Sequence, residues 1–176
     1  MDDAANLAEQ LMQFYEMKPL PIEGGYYVQT YRSLEWIGKE SLPQRYGENR
    51  PYGTAILYLY NTDPNCFSAL HRLPTDEVYH FYLGDPVEML LLYPDGKSER
   101  VILGQDVFHG QRVQFVAPRG VWQGSHLIDG GRFALIGTTM APGYIDADYV
   151  GGEREKLIRE YPQEANLIRR LTRIEE

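Results

Sequence analysis

From Tyr26 to Tyr144 apolar and polar positions alternate with a period of two, punctuated by turn formers, and helical spacing is confined to the two ends of the chain. Near the start, Leu7, Leu11 and Met12, with Phe14 and Tyr15 beside them, predict an amphipathic helix over about residues 4 to 16, which Asp2 or Asp3 can cap and Pro19 and Pro21 terminate. Gly24-Gly25 then predicts a turn into the alternating strand YYVQTYRS. Thr54 to Tyr60, TAILYLY, is rich in β-branched and aromatic residues and predicts another strand. FSALHR and EVYHFYL predict two more, joined by LPTD, whose Pro74 and Asp76 are turn formers.

Further on, PVEMLLLYPDGKSERVILG holds two strands around Asp95-Gly96, a hairpin signal, and the continuous run MLLLY predicts burial on both faces. RVQFVAP, GVWQGSHLI and RFALIGTTMAPGY follow, the last two separated by Asp129-Gly130-Gly131. Between Trp36 and Tyr52 no period is visible, which predicts a long loop offering Arg45 and Arg50 as ligand contacts or as solvent-exposed charges. Glu153 to Tyr161 and Pro162 to Arg173 read as two helical pieces, with Leu167, Ile168 and Leu171 on the apolar side. Arg159, Glu160, Arg169, Arg170 and Arg173 are expected on a solvated face. About nine or ten strands with helices only at the ends predict a mostly β, single-domain jelly roll or barrel over roughly residues 24 to 144, followed by C-terminal helices over about 152 to 173.

Composition narrows the partners. A chain of 176 residues, 43% hydrophobic, suits one domain. Its 25 acids against 17 Lys plus Arg give a formal charge of −8, which argues against nucleic acid as the main partner, since phosphate binding requires clustered basic side chains. No run of eighteen apolar residues predicts a membrane span and the acidic start does not read as a secretory signal, so a soluble cytoplasmic protein is expected. The one cysteine, Cys66, agrees with a reducing compartment and reads as a small buried hydrophobe.

The candidate chemistry concentrates in Ser68 to Gly84. Alternation puts Glu77, Tyr79 and Phe81 on one side of their strand and Val78, His80 and Tyr82 on the other, so that Glu77 and His71 can meet inside a sheet. The spacing of His71, Leu73, Glu77 and Gly84 resembles the first cupin motif, and Pro118, Gly120 and Gln123 resemble the second. With EGGYYVQTYRS, ALHRLPTDEVYHFYLGDP, GVWQ and GTTMAPGY in order, the chain resembles the small cupin family known as DUF985 or cupin-5 from about Glu23 to its C-terminus. The resemblance implies a cupin double-stranded β-helix with a pocket in the barrel.

Three functional classes follow. A metal enzyme of the usual cupin kind, a dioxygenase, decarboxylase or isomerase, would use His71 and Glu77 as ligands. Leu73 and Gln123 stand where the motifs have histidines, so a firmly held metal is not expected. The jelly-roll epimerases of nucleotide-linked deoxysugars suggest a metal-free alternative, with His71 as base, supported by Glu77, and Tyr58 or Tyr93 as acid. A binding module would hold a small polar ligand, a nucleotide or nucleotide-sugar or else a sugar acid, among Ser68, His71, Glu77, Gln123, Tyr58, Trp122 and Tyr79, with Arg32 or Arg72 meeting a phosphate. A homodimer is expected through the edge of YYVQTYR or TAILYLY.

Overall fold

The structure, a computed structural model, describes residues 3–173. Helix α1 spans Asp3–Phe14, and the cap expected at Asp2 or Asp3 falls on side chains outside the described residues. Strands β1 (Lys18–Pro19), β2 (Tyr26–Arg32), β3 (Trp36–Ile37), β4 (Arg50–Pro51), β5 (Thr54–Asn61), β6 (Phe67–Arg72) and β7 (Glu77–Gly84) come next. Then follow β8 (Val87–Leu92), β9 (Ser98–Leu103), β10 (Gln114–Ala117), β11 (Trp122–Leu127), β12 (Phe133–Met140) and β13 (Val150–Gly151). Helices α2 (Arg154–Glu160) and α3 (Ala165–Arg170) close the chain.

The strands form two antiparallel sheets, one in the order β1-β2-β5-β12-β7-β10 and the other β13-β6-β11-β8-β9, as the jelly-roll reading requires. The first core cluster brings together Tyr58, Tyr60, Tyr79 and Phe81 of one sheet and Met89, Leu91 and Leu103 of the other. A second joins Leu70, Leu90, Leu92 and Trp122 to Leu157, Tyr161, Leu167, Ile168 and Leu171 of the C-terminal helices. Strand β8 therefore has a core on each face, Met89 and Leu91 towards one and Leu90 and Leu92 towards the other, which is why its sequence lacks polar alternation.

Several expectations need correcting. Helix α1 packs through Ala8 and Leu11 against Phe133 and Leu83, while Leu7 and Phe14 stay exposed. TAILYLY offers no free edge for pairing, because β5 bonds β2 on one side and β12 on the other. The 36 to 52 loop contains the short β3-β4 pair, and its Arg50 is buried against Asp148 instead of facing solvent or ligand freely. Arg173 is not simply solvated: it lies over Phe67 and donates to the carbonyls of Ile22, Glu23 and Asn65.

Candidate functional site

Register across the first sheet builds one wall of a cavity. Arg32 pairs with Thr54, Thr54 with Met140, and Met140 with Glu77, so four strands present one row of side chains on the same face. The next row inward runs Gln29, Ile56, Thr138. These residues line a cavity of about 300 Å³, closed on the other side by His71 of the second sheet and Leu73 just after it, by Leu20 and Glu23 before β2, and by Tyr144, Asp146 and Tyr149 from the segment leading into β13. That segment is held there because Val150 and Gly151 pair with Arg72 and His71.

Strand β6 departs from simple alternation. Gln123 pairs with His71 and Ser125 with Ser68, so Gly124 alone on β11 stands against Ala69 and Leu70 on β6. The bulge turns Ala69 and Leu70 outward to the second core cluster and brings Ser68 and His71 to the same inner face.

At the centre, Gln123 Nε2 donates to Glu77 Oε2 at 2.6 Å and Tyr79 donates its hydroxyl to the same oxygen at 3.1 Å. His71 Nδ1–H is committed to the Ala69 carbonyl at 2.8 Å, so Nε2 is the working nitrogen. It lies 3.9 Å from Glu77 Oε2, an ion-pair distance, and 3.3 Å from Gln123 Nε2. Ser68 donates to Glu23 Oε1 at 2.6 Å, and the Tyr149 ring stacks on His71 with centroids 5.2 Å apart. Two buried polar atoms are left without partners here, Gln123 Oε1 and the Tyr149 hydroxyl.

The charges are mutually dependent. Burial works against an imidazolium at His71, but the carboxylates of Glu23 and Glu77 outweigh it and push the group up to about 9. For Glu77, burial favours the neutral acid, and contact with His71 prevails to hold the carboxyl below its usual range. Burial raises Glu23 above that range, aided by the charge of Glu77 and opposed by His71. At neutral pH the site therefore holds a cationic His71 and an ionised Glu77, with Glu23 the carboxylate most ready to accept a proton.

Sequence spacing singled out Ser68, His71, Glu77, Gln123 and Tyr79; of these His71 and Glu77 line the cavity, while Ser68, Gln123 and Tyr79 stand behind it, bonded to Glu23 or Glu77. Trp122 and Arg72 do not reach it, because each directly neighbours an inward residue along its strand and so points the other way. Trp122 belongs to the second core cluster, with Arg72 stacked over its ring at 4.7 Å. Tyr58 lies in the core and donates to the Gly24 carbonyl at 2.6 Å, and Tyr93 bonds Glu99, so neither serves as the acid of an epimerase-like pair. His80 sits on the outer side, stacked on Tyr82. The sequence reading missed Glu23, Tyr144, Asp146 and Tyr149 as site residues; Glu23 had a signal in the Glu-Gly-Gly turn that opens the EGGYYVQTYRS block.

The donor set does not fit the metal centre of the wider fold. A neutral amide and a leucine occupy the positions where imidazoles would be needed, and the amide nitrogen, not its oxygen, faces His71 and Glu77. Among the described residues no group of three His, Cys, Asp or Glu side chains is disposed to ligate a metal.

Comparison with known proteins agrees with this architecture. The Cupin_5 family model, described as Cupin superfamily (DUF985), matches residues 9–150. An uncharacterised protein of Saccharomyces cerevisiae is 29% identical over 144 residues, covering 76% of this chain and 70% of the yeast protein. The crystal structure of a Shewanella oneidensis protein superposes with a TM-score of 0.80 at 30% identity, covering 96% of this chain and 98% of that one. A hypothetical protein from Leishmania major gives 0.83 at 27% identity, over 95% and 99%. Oxalate decarboxylase from Bacillus subtilis, at 12% identity and a TM-score of 0.50 over 93% of this chain and 39% of that one, shares the fold alone.

Proposed function

This chain belongs to the Cupin_5 family of the cupin superfamily (DUF985), and on that footing we propose that its barrel binds a small polar metabolite, the sugar part of a nucleotide-sugar or a sugar acid, without a tightly held metal. The observation that carries this reading is that His71 and Glu77 both face one cavity of about 300 Å³, with Gln123 behind them donating to Glu77 Oε2. Around that cavity, His71, Glu23, Glu77, Arg32, Thr138 and Gln29 supply donors and acceptors suited to a polyol or a carboxylated sugar. Trp122 does not line this cavity, whose aromatic walls are Tyr27, Tyr144 and Tyr149, and a volume of about 300 Å³ is at the small end for a ligand pocket, so the reading favours the sugar as the part enclosed.

A second reading, metal-free proton transfer on that ligand, is favoured by the placement of His71 and Glu23 on the wall of one cavity. Their surroundings favour a protonated imidazole and a readily protonated carboxylate there. His71 then acts as acid instead of the base expected from sequence, and Glu23 takes the base role.

A thermal-shift screen of nucleotides, nucleotide-sugars and sugar acids tests the binding. A ligand at ~100 times its dissociation constant adds about 2.7 kcal/mol of stability, an easily read shift. The expected result is a shift with a sugar-containing compound that Gln123→Leu and Glu77→Gln abolish. No shift with any compound, or a shift that both variants retain, removes the proposal.

A further inference from the structure

On the outer side of the same barrel end lies a groove of about 570 Å³ lined by Arg45, Arg50, Arg72 and Arg119, with Glu48 and Asp148 as its carboxylates. We propose that this groove is an oxyanion site that takes the phosphate or diphosphate group of a small molecule. The proposal stands on the arginines alone and does not depend on what fills the inner cavity.

The guanidiniums are held in place before any ligand arrives. Arg72 lies over the Trp122 ring at 4.7 Å, and Arg45 lies over Tyr46 at 4.7 Å while its Nε donates to the Pro74 carbonyl at 2.9 Å. Stacking on an aromatic face fixes the plane of a guanidinium and leaves its edge N–H groups available, the arrangement that suits planar, bidentate contact with oxyanions. Tyr46 is itself fixed, its hydroxyl 2.7 Å from Thr75 Oγ1, and Arg50 approaches the same ring at 5.2 Å. Among the described residues neither Arg45, Arg72 nor Arg119 has a carboxylate within ion-pair distance, although acids outnumber basic residues along the chain; Asp76 is committed to the backbone N–H of Arg119.

Arg50 is locked into the wall of the groove. It is 2% exposed, its Nη1 donates to the Glu48 and Asn49 carbonyls and its Nη2 to Asp148, yet its Nε is buried with no partner. With Arg50 matched by Asp148 and Glu48 set against one of the others, the groove keeps a surplus of two positive charges in a chain whose formal charge is −8. A dianion balances that surplus. A nucleic acid backbone would meet the repulsion of the rest of the surface, which confines the ligand to a small molecule.

The test is ¹⁵N NMR titration of the full chain with inorganic phosphate, pyrophosphate and a nucleoside diphosphate at low salt. Expected are shifts at the amides of Arg45, Arg72, Arg119 and Gly120, weakening as salt is added, and at least ten-fold weaker binding in Arg72→Gln/Arg119→Gln. Both substituted residues are exposed, so the variant should fold; an unchanged melting temperature verifies this. Tighter binding of the nucleoside diphosphate than of pyrophosphate assigns the site to an ester, and the reverse order to the free anion. Shifts centred on Glu23, His71 and Thr138, or affinity unchanged in the double variant, overturn the assignment to the groove, as does no binding of any of the three.

Discussion

His71 is built to exist in two protonation states. As an imidazolium it is drawn to Glu23 and Glu77. As a neutral ring, with Nδ1–H still on the Ala69 carbonyl, its Nε2 can accept from Gln123 Nε2 at 3.3 Å, a bond the protonated ring cannot make. Deprotonation therefore exchanges an ion pair for a hydrogen bond. The folded state nonetheless binds the proton more tightly than the unfolded chain, since His71 is raised from 6.5 to about 9. A raised value gives stability that is complete below about 6.5 and is lost as pH climbs through about 9, by linkage on the order of a few kcal/mol. Chemical denaturation should show stability falling between pH 6.5 and 8, mostly below the range where the one thiol and the phenols of the unfolded chain ionise. His71→Gln should flatten that slope while lowering stability at pH 6.5. A slope of equal size in the variant would show that another group is responsible. On the acid side the two carboxylates oppose each other, Glu77 losing stabilisation as pH falls through its depressed value and Glu23 gaining it as it takes up its proton, so the alkaline limb is the informative one.

The turn before β2 is the element that turns a pair of residues into a site. It carries Glu23 into the cavity from 45 residues before Ser68, its hydrogen-bond partner, and is secured by the Arg173 bonds to the Ile22 and Glu23 carbonyls. Gly25 makes the turn feasible: its φ is +66°, and a Cβ there would sit 2.2 Å from the Tyr58 hydroxyl, which is fixed by its bond to the Gly24 carbonyl. Gly25→Ala should cost about 2 to 4 kcal/mol by denaturant titration, strain and clash together, and should also lower affinity for any cavity ligand. Gly130, with φ of +83° and open space around it, isolates the backbone effect, and Gly130→Ala should cost only about 1 kcal/mol. Equal costs would mean that the Tyr58 contact yields. The same turn marks where sequence stops being informative. Glu77, Tyr79 and Phe81 could be placed on one face because alternation is a local rule, and MLLLY announced its two-sided burial. Alternation also forbids Trp122 and Gln123, or Arg72 and His71, from sharing a face, so those pairings were errors of reading. Ser68 reaches the inner face only through a bulge, and Glu23, Tyr149 and the Arg50 to Asp148 pair depend on segments brought together across 45 to 98 residues of chain. No local pattern encodes such meetings.

At the scale of the whole molecule, the open edges of the sheets decide what the protein does with its own copies. Strand β1 covers only Tyr26 and Tyr27 of β2, leaving the outer side of Val28 to Arg32 without a strand partner among the described residues. Beside that edge lie Tyr31, Leu34, Trp36 and Tyr52, about half exposed or more, with Leu34 at 95%. An unpaired edge next to an apolar patch invites association, and a two-fold axis closes it without leaving a growing end. At the far side of the same sheet, β10 is also an edge, with Phe108 at 96% exposure in the chain before it, but it is only four residues long. We therefore propose a homodimer through β2, with sedimentation at micromolar concentration giving particles twice the 20.3 kDa chain mass. Leu34→Glu should convert them to single chains, because a charge buried in a symmetric contact faces its own copy, whereas Phe108→Glu should leave them paired. The reverse pattern would move the contact to β10, and a wild-type chain that sediments alone would end the proposal. The outcome matters for the cavity, since Arg32 ends β2 and sits over Trp36 at 5.2 Å while also lining the pocket. If the dimer forms through this edge, Leu34→Glu should weaken ligand binding as well as association, because the Arg32 to Trp36 contact lies where the second copy would press.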